Sequence, residues 1–243
     1  MNTSTRPAID KEDTMDRSPL RRRAWLFTLP LLLLALGATG LAWFFGREVP
    51  EEANIGVAGD VTTTAPAAST ETSATSAALA VDGEWLVDTS IGDFSFAEAT
   101  ATFAGFRIEE ELAGIGAATA IGRTPVLTGS LTVEEGVVTE GVIEADLTAI
   151  VSNETRRDDR IQGALNTDQN PIATFVLTEA VTLPGGIAEG STFSLEVTGD
   201  LTINGVTNSV TIPLEGTVAN GSVLLAGGVD LVFADYGVAV PTA

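Results

Sequence analysis

Two patterns of hydrophobic and polar positions divide this chain. The first is an apolar run, Ala24 to Phe45, of 22 residues without a charge, directly preceded by Arg21-Arg22-Arg23. A helix of that length spans roughly 33 Å, about the hydrocarbon thickness of a bilayer. Trp25 and Trp43-Phe44-Phe45 stand at its two ends, where amphipathic rings favour the headgroup zone. The run predicts one transmembrane helix, residues 21–46 with the basic flank. The arginines hold the N-terminus in the cytoplasm, so residues after Arg47 lie outside. A cleaved secretory signal is the rival reading. Its apolar core is roughly 7–15 residues followed by small residues, which Ala35 to Gly40 supply. The run continues five residues further, to Phe45, which a cleaved signal does not need.

The second pattern has period two and begins after Asp82. In Thr192–Ile203, TFSLEVTGDLTI, the positions Phe193, Leu195, Val197, Leu201 and Ile203 share one face and polar residues fill the other. That is a half-buried strand. Asn204-Gly205 follows at once, a strong hairpin signal, and the return strand keeps Val206, Val210, Ile212, Leu214 and Val218 in phase. Ile143–Val151 alternates in the same way, as does Phe175–Leu183 with Glu179 interrupting the apolar face. Further strands are expected at Glu84–Thr89, Asp93–Ala97, Ala101–Glu110, Ala117–Leu131 and Val223–Phe233. The polar stretch Asn153–Asn170 does not alternate, and its length predicts a short helix near Thr155–Gly163. Together these predict an all-β fold, an antiparallel barrel or sandwich of about eight strands with one short helix; strand count and alternation fit closure into a barrel, which removes exposed edges.

The domain organisation follows. Residues 1–20 read as a disordered cytoplasmic tail. Residues 47–81, dominated by Ala, Thr, Ser, Glu and Val, read as a flexible linker with an r.m.s. span of roughly 30–35 Å. Residues 82–243 form the barrel domain.

Charge and composition then narrow the function. Residues 82–243 carry five arginines against 24 Asp and Glu, a net charge near −19 of the chain's −21. Such a surface repels phosphate backbones, so no nucleic-acid partner is expected. The chain has no cysteine and no histidine. Disulfides, thiol chemistry, imidazole bases and His or Cys metal sites are therefore excluded. No catalytic spacing of carboxylates is evident, Asp88 and Asp93 reading as a strand-end and turn pair. The chain is expected not to be an enzyme and to carry no metal.

Three stretches resemble the YceI-like family of lipocalin-like barrels. Glu84-Trp85-Leu86-Val87-Asp88-Thr89-Ser90 is similar to the family's opening strand. Arg157-Asp158 through Pro171-Ile172-Ala173-Thr174-Phe175 is similar to its central excursion. Gly199-Asp200-Leu201-Thr202-Ile203-Asn204-Gly205-Val206-Thr207, ending in Ile212-Pro213-Leu214, is similar to its signature hairpin. The chain departs from the family where Asn170, not an aromatic, precedes Pro171. The resemblance also implies one more strand after Asp235-Tyr236-Gly237, so the barrel is expected to lack its last strand or to keep an unpaired edge.

The resemblance implies that an isoprenoid lipid or quinone, or a similar amphiphile, is held inside the barrel. Its walls would be Phe94, Phe96, Phe103, Phe106, Leu147, Phe175, Leu177, Phe193, Leu195 and Phe233. Small inward residues, among them Ala99, Ala120 and Ala145, would leave room. Burying about 500 Å² of such a guest would give on the order of 12 kcal/mol before association costs. From the residues alone, a solid barrel core serving as a structural, adhesion or protein-interaction module stays open. Arg156, Arg157 and Arg160, in the densest charge cluster, either sit on a solvated helix with local ion pairs or form a mouth for a lipid headgroup. The expected setting is a single-pass protein of the cell membrane with an extracytoplasmic domain; its partners are membrane lipid and an apolar isoprenoid-like ligand.

Overall fold

The computed structural model describes residues 52–53, 80–112 and 116–239. The expected membrane helix, the tail and nearly all of the linker lie outside the described residues. Among the described residues no helix is long and apolar enough to cross a membrane.

The elements are β1 Gly83–Leu86, β2 Ala104–Leu112, β3 Gly116–Thr124, β4 Leu127–Glu134, β5 Val137–Asp146, β6 Val151–Ser152, α1 Thr155–Leu165, β7 Ile172–Leu177, β8 Val181–Thr182, β9 Thr192–Ile203, β10 Val206–Ala219 and β11 Ser222–Gly227. Short 3-10 turns cover Leu147–Ala149 and Phe233–Tyr236. All strand pairs are antiparallel. One eight-stranded sheet runs β1-β4-β5-β7-β9-β10-β11, with β8 also on β5, and β2-β3-β6 form a second sheet. The larger sheet curls into a half-barrel.

The expected barrel is not closed by main-chain pairing. β1 and β11 are the two edges of the larger sheet, and among the described residues no ladder joins them.

The strongest sequence signals land where the pattern put them. β9 covers Thr192–Ile203 and pairs with β10 from Val206↔Ile203 to Thr217↔Thr192. Asn204 and Gly205 make the turn with φ of 51° and 73°, the doubly left-handed geometry that suits the twist of a tight hairpin. α1 forms where a helix was expected. Ile161 and Leu165, four residues apart, are its buried stripe, and Asn166 ends it at φ 51°.

Other boundaries differ for local reasons. The Ala117–Leu131 segment splits into β3 and β4 around Pro125, which has no N–H to give a ladder. The alternation in Ile143–Val151 stops at Asp146. Its carboxylate accepts the Thr148 N–H at 2.8 Å and the Thr148 hydroxyl at 2.6 Å, folding Leu147–Ala149 into a 3-10 turn. Val151 then pairs in the smaller sheet. Val223–Phe233 is strand only to Gly227, and Asp93–Ala97 is irregular.

Candidate functional site

Along β9 and β10 alternate residues build one apolar face. Register places Phe193 opposite Gly216, Leu195 opposite Leu214, Val197 opposite Ile212, Gly199 opposite Val210 and Leu201 opposite Asn208. Phe175 and Leu177 of β7 extend the face through the pairs Phe175↔Leu201 and Leu177↔Gly199. The opposite face is polar, with Thr198 bonded to Thr211 at 3.0 Å and Thr202 to Thr207 at 2.8 Å. On the apolar face, Phe175, Leu177, Phe193, Leu195, Val197, Val210, Ile212 and Leu214 are all only half-buried.

Glycines opposite aromatic rings shape this face. A Cβ at Gly216 would come closer than 3.0 Å to the ring of Phe193, and one at Gly199 equally close to the ring of Phe175. Each ring therefore lies down over its glycine instead of standing away from the sheet. Side-chain bulk is kept low along the trough.

One end of the face is plugged. Leu147, Ile150, Ile161, Leu165, Tyr236 and Val238 form a buried cluster, against which Phe106, Ala173, Leu201, Ile203 and Phe233 pack. Phe106 and Phe233 meet edge to face at 6.3 Å and 87°. Asparagines strap the 235–237 segment here. Asn204 Nδ2 donates to the carbonyls of Tyr236 and Gly237 at 3.2 and 3.4 Å, and Asn208 Nδ2 to that of Asp235 at 3.1 Å. Asn170 Nδ2 in turn donates to Asn204 Oδ1 at 3.2 Å. That explains why Asn stands before Pro171: it braces the hairpin turn.

Tyr236 is 2% exposed, and among the described residues its hydroxyl has no hydrogen-bond partner. Burial pushes its pKa above the ordinary value; the Asn208 side chain nearby opposes this and Asp235 adds to it. No hydrogen bond joins the hydroxyl to Asn208.

Toward the other end, Leu195 and Leu214 line an open hollow of about 620 Å³, with Glu196 and Glu215 also on its wall and Ala53 and Ala226–Gly228 beside them. A second open hollow, of about 600 Å³, lies over β1, β4 and β5 beside Leu86 and Val142.

The ten residues expected to line a guest site do not form one set. Phe175, Leu177, Phe193 and Leu195 share the open apolar face. Phe106, Leu147 and Phe233 belong to the plug. Phe96 and Phe103 flank Arg123 instead, whose guanidinium carbon lies 5.9 and 4.4 Å from their ring centroids. Arg123 is 3% exposed and donates to the carbonyls of Phe96 and Glu98 at 2.8 and 2.9 Å, pinning that irregular segment. Phe94 is half-buried in the same segment.

The arginines also separate. Arg157 Nη2 meets Glu110 Oε2 at 3.0 Å and its Nη1 donates to Asn153 Oδ1 at 2.7 Å, so it ties α1 to the smaller sheet. Arg160 is exposed, and Arg156 lies in the same helix. Asp88 accepts the N–H and the hydroxyl of Ser90 at 2.8 and 2.6 Å, which holds its pKa below the ordinary value; it shapes the turn after β1. Among the described residues no group of acidic side chains is arranged to hold a metal ion.

Sequence reading missed Tyr236, Asn208 and Arg123. Asn208 had a visible signal: it is the one polar side chain at an inward position between Val206 and Val218. Arg123 is also the only arginine of the domain outside the charged excursion apart from Arg107.

A family model described as YceI-like domain matches residues 85–242, well over half of the chain. A curated relative, the UPF0312 protein of Shewanella denitrificans, is 30% identical over 118 residues, covering 47% of this chain and 58% of that protein. This chain thus spans less than two thirds of that relative's length. Among solved structures, BcnA of Burkholderia cenocepacia is 19% identical with a TM-score of 0.42, covering 50% of this chain and 74% of its own. A polyisoprenoid binding domain from Saccharophagus degradans is 19% identical with a TM-score of 0.44, covering 56% of this chain and 76% of its own.

Proposed function

Because the chain belongs to the YceI family, we propose that residues 82–243 hold an isoprenoid or similar amphiphile against the apolar face, outside a membrane to which residues 21–46 anchor them. One observation carries this reading. The side chains that would fill a solid core, from Phe193 and Leu195 to Ile212 and Leu214, stay half-buried, and the buried cluster among the described residues does not include them. An apolar face of this size left partly wet is a site in want of a cover.

The apolar trough has the right length. From Leu201 at the plug to Phe193 at the open end is about 26 Å of strand. Covering about 500 Å² of it with hydrocarbon would gain on the order of 12 kcal/mol, enough to offset association costs. Binding is the whole of the activity: the domain stores or hands on its guest and performs no reaction on it. The anchor and the 47–81 linker keep it near the lipid from which the guest comes.

The test is lipid extraction and native mass spectrometry of the full chain purified in a mild detergent. A co-purifying prenyl lipid, displaced by an added one, is the expected result. A chain that retains no lipid and takes up none would end the proposal.

A further inference from the structure

The apolar face ends on one buried polar atom. The Tyr236 hydroxyl sits in the plug, 2% exposed and, among the described residues, without a hydrogen-bond partner, beside Asn208, whose register opposite Leu201 puts it on the apolar face. A buried hydroxyl without a partner is disfavoured, and native proteins keep such groups where something else completes them. The ring cannot easily turn the hydroxyl elsewhere. Burial in the cluster with Leu147, Ile150, Ile161, Leu165 and Val238 holds the ring, and the asparagine straps hold the main chain on both sides of it.

Resting on the reading above, we propose that the Tyr236 hydroxyl is the polar contact of the guest: it donates a hydrogen bond to an oxygen at the end of the apolar chain. The site then takes prenyl lipids that carry an alcohol or a quinone carbonyl, plug end first, over hydrocarbons of the same length. The chemistry suits the role. Burial keeps the phenol protonated, so it stays a donor across the physiological range. Every other inward side chain from Phe193 to Leu201 is apolar or glycine, so one end of the guest is distinguished from the rest.

The experiment compares the full chain in detergent with Tyr236→Phe, which removes one oxygen and leaves the ring. Three probes are titrated: geranylgeraniol, a prenylated benzoquinone and squalene. The wild type is expected to bind the two oxygenated probes on the order of five- to tenfold more tightly than its Tyr236→Phe variant, with squalene unchanged. Tyr236 is the only tyrosine of the chain, so the tyrosine doublet in ultraviolet resonance Raman reads its hydrogen bonding directly. It should change with geranylgeraniol and not with squalene, whatever the variant's stability. Equal binding of all three probes by both proteins overturns the hydroxyl's role and leaves lipid binding standing. Weaker binding of all three by Tyr236→Phe assigns the effect to packing and also overturns it. Failure of the wild type to bind any probe overturns both proposals.

Discussion

The ring of Phe193 lies on Gly216, its directly opposed partner across β9 and β10, closer than any Cβ at that position would allow. The pair has two consequences. It shields main chain where no side chain can, and it keeps a large ring out of the trough. Val at 216 would lift the ring off the sheet and into the apolar channel. Gly216→Val should therefore cost about 1–3 kcal/mol of stability, the usual penalty for overpacking. It should also lower the amount of lipid retained per protein. Chemical denaturation and quantitative lipid extraction measure the two effects; a variant as stable as the wild type would mean that the ring has somewhere else to go.

Asn204 carries a different kind of load. It occupies the left-handed region at φ 51° and its side chain bonds two carbonyls that lie 32 and 33 residues downstream. Two substitutions separate these roles. Asn204→Gly keeps the turn and loses the straps, whereas Asn204→Ala loses both. Loss of the straps should cost about 1–3 kcal/mol, with Ala worse than Gly by roughly a further 1 kcal/mol for the left-handed backbone. Urea midpoints at constant slope would show it. Equal midpoints for the two variants would show that the turn tolerates Ala.

How much of this was legible in the sequence depends on whether a residue acts locally. The β9–β10 hairpin was readable to the residue, because a period-two face and an Asn-Gly turn are local properties. α1 was readable from the failure of alternation and the length of the excursion. Closure of the barrel was not: whether β1 meets β11 depends on curl accumulated over seven strands, and no single segment encodes it. The candidate guest residues lie in separate places for a similar reason. Phe96, Phe103, Phe106 and Phe193 have the same chemistry in sequence. Only tertiary packing assigns the first two to Arg123, the third to the plug and the last to the open face. Asn170 shows the converse. In sequence it is only a departure from a family pattern; in the structure it is a brace for Asn204.

The arginines of α1 make a sharp pair of expectations. Arg157 and Glu110 are only 24% and 22% exposed, so removing the cation strands a half-buried carboxylate. Arg157→Ala should cost about 1–3 kcal/mol. Arg160 is exposed, and Arg160→Ala should stay within about 0.5 kcal/mol. If Arg160→Ala nevertheless weakens binding to vesicles of anionic lipid, with stability unchanged, the arginine faces a headgroup. If it changes neither, the helix face is merely solvated.

Tyr236 gives the chain an alkaline limit that can be read without a ligand. Its pKa is raised above 10.0 in the folded state, first by burial and then by Asp235, against the opposing effect of Asn208. The unfolded chain gives its phenol the ordinary value near 10. The folded state then holds this proton more tightly than the unfolded state does. The stabilisation is fully present below that unfolded value and is lost as pH rises through the folded pKa. As the chain has one tyrosine, ultraviolet absorbance of the phenolate follows this group alone. The folded protein should titrate above the urea-unfolded protein, and the unfolding midpoint should begin to fall on the alkaline side of the unfolded value. In Tyr236→Phe that part of the alkaline fall should vanish. Coincident titrations in the folded and unfolded chains would mean that water reaches the hydroxyl, and the closed end of the trough would then be open.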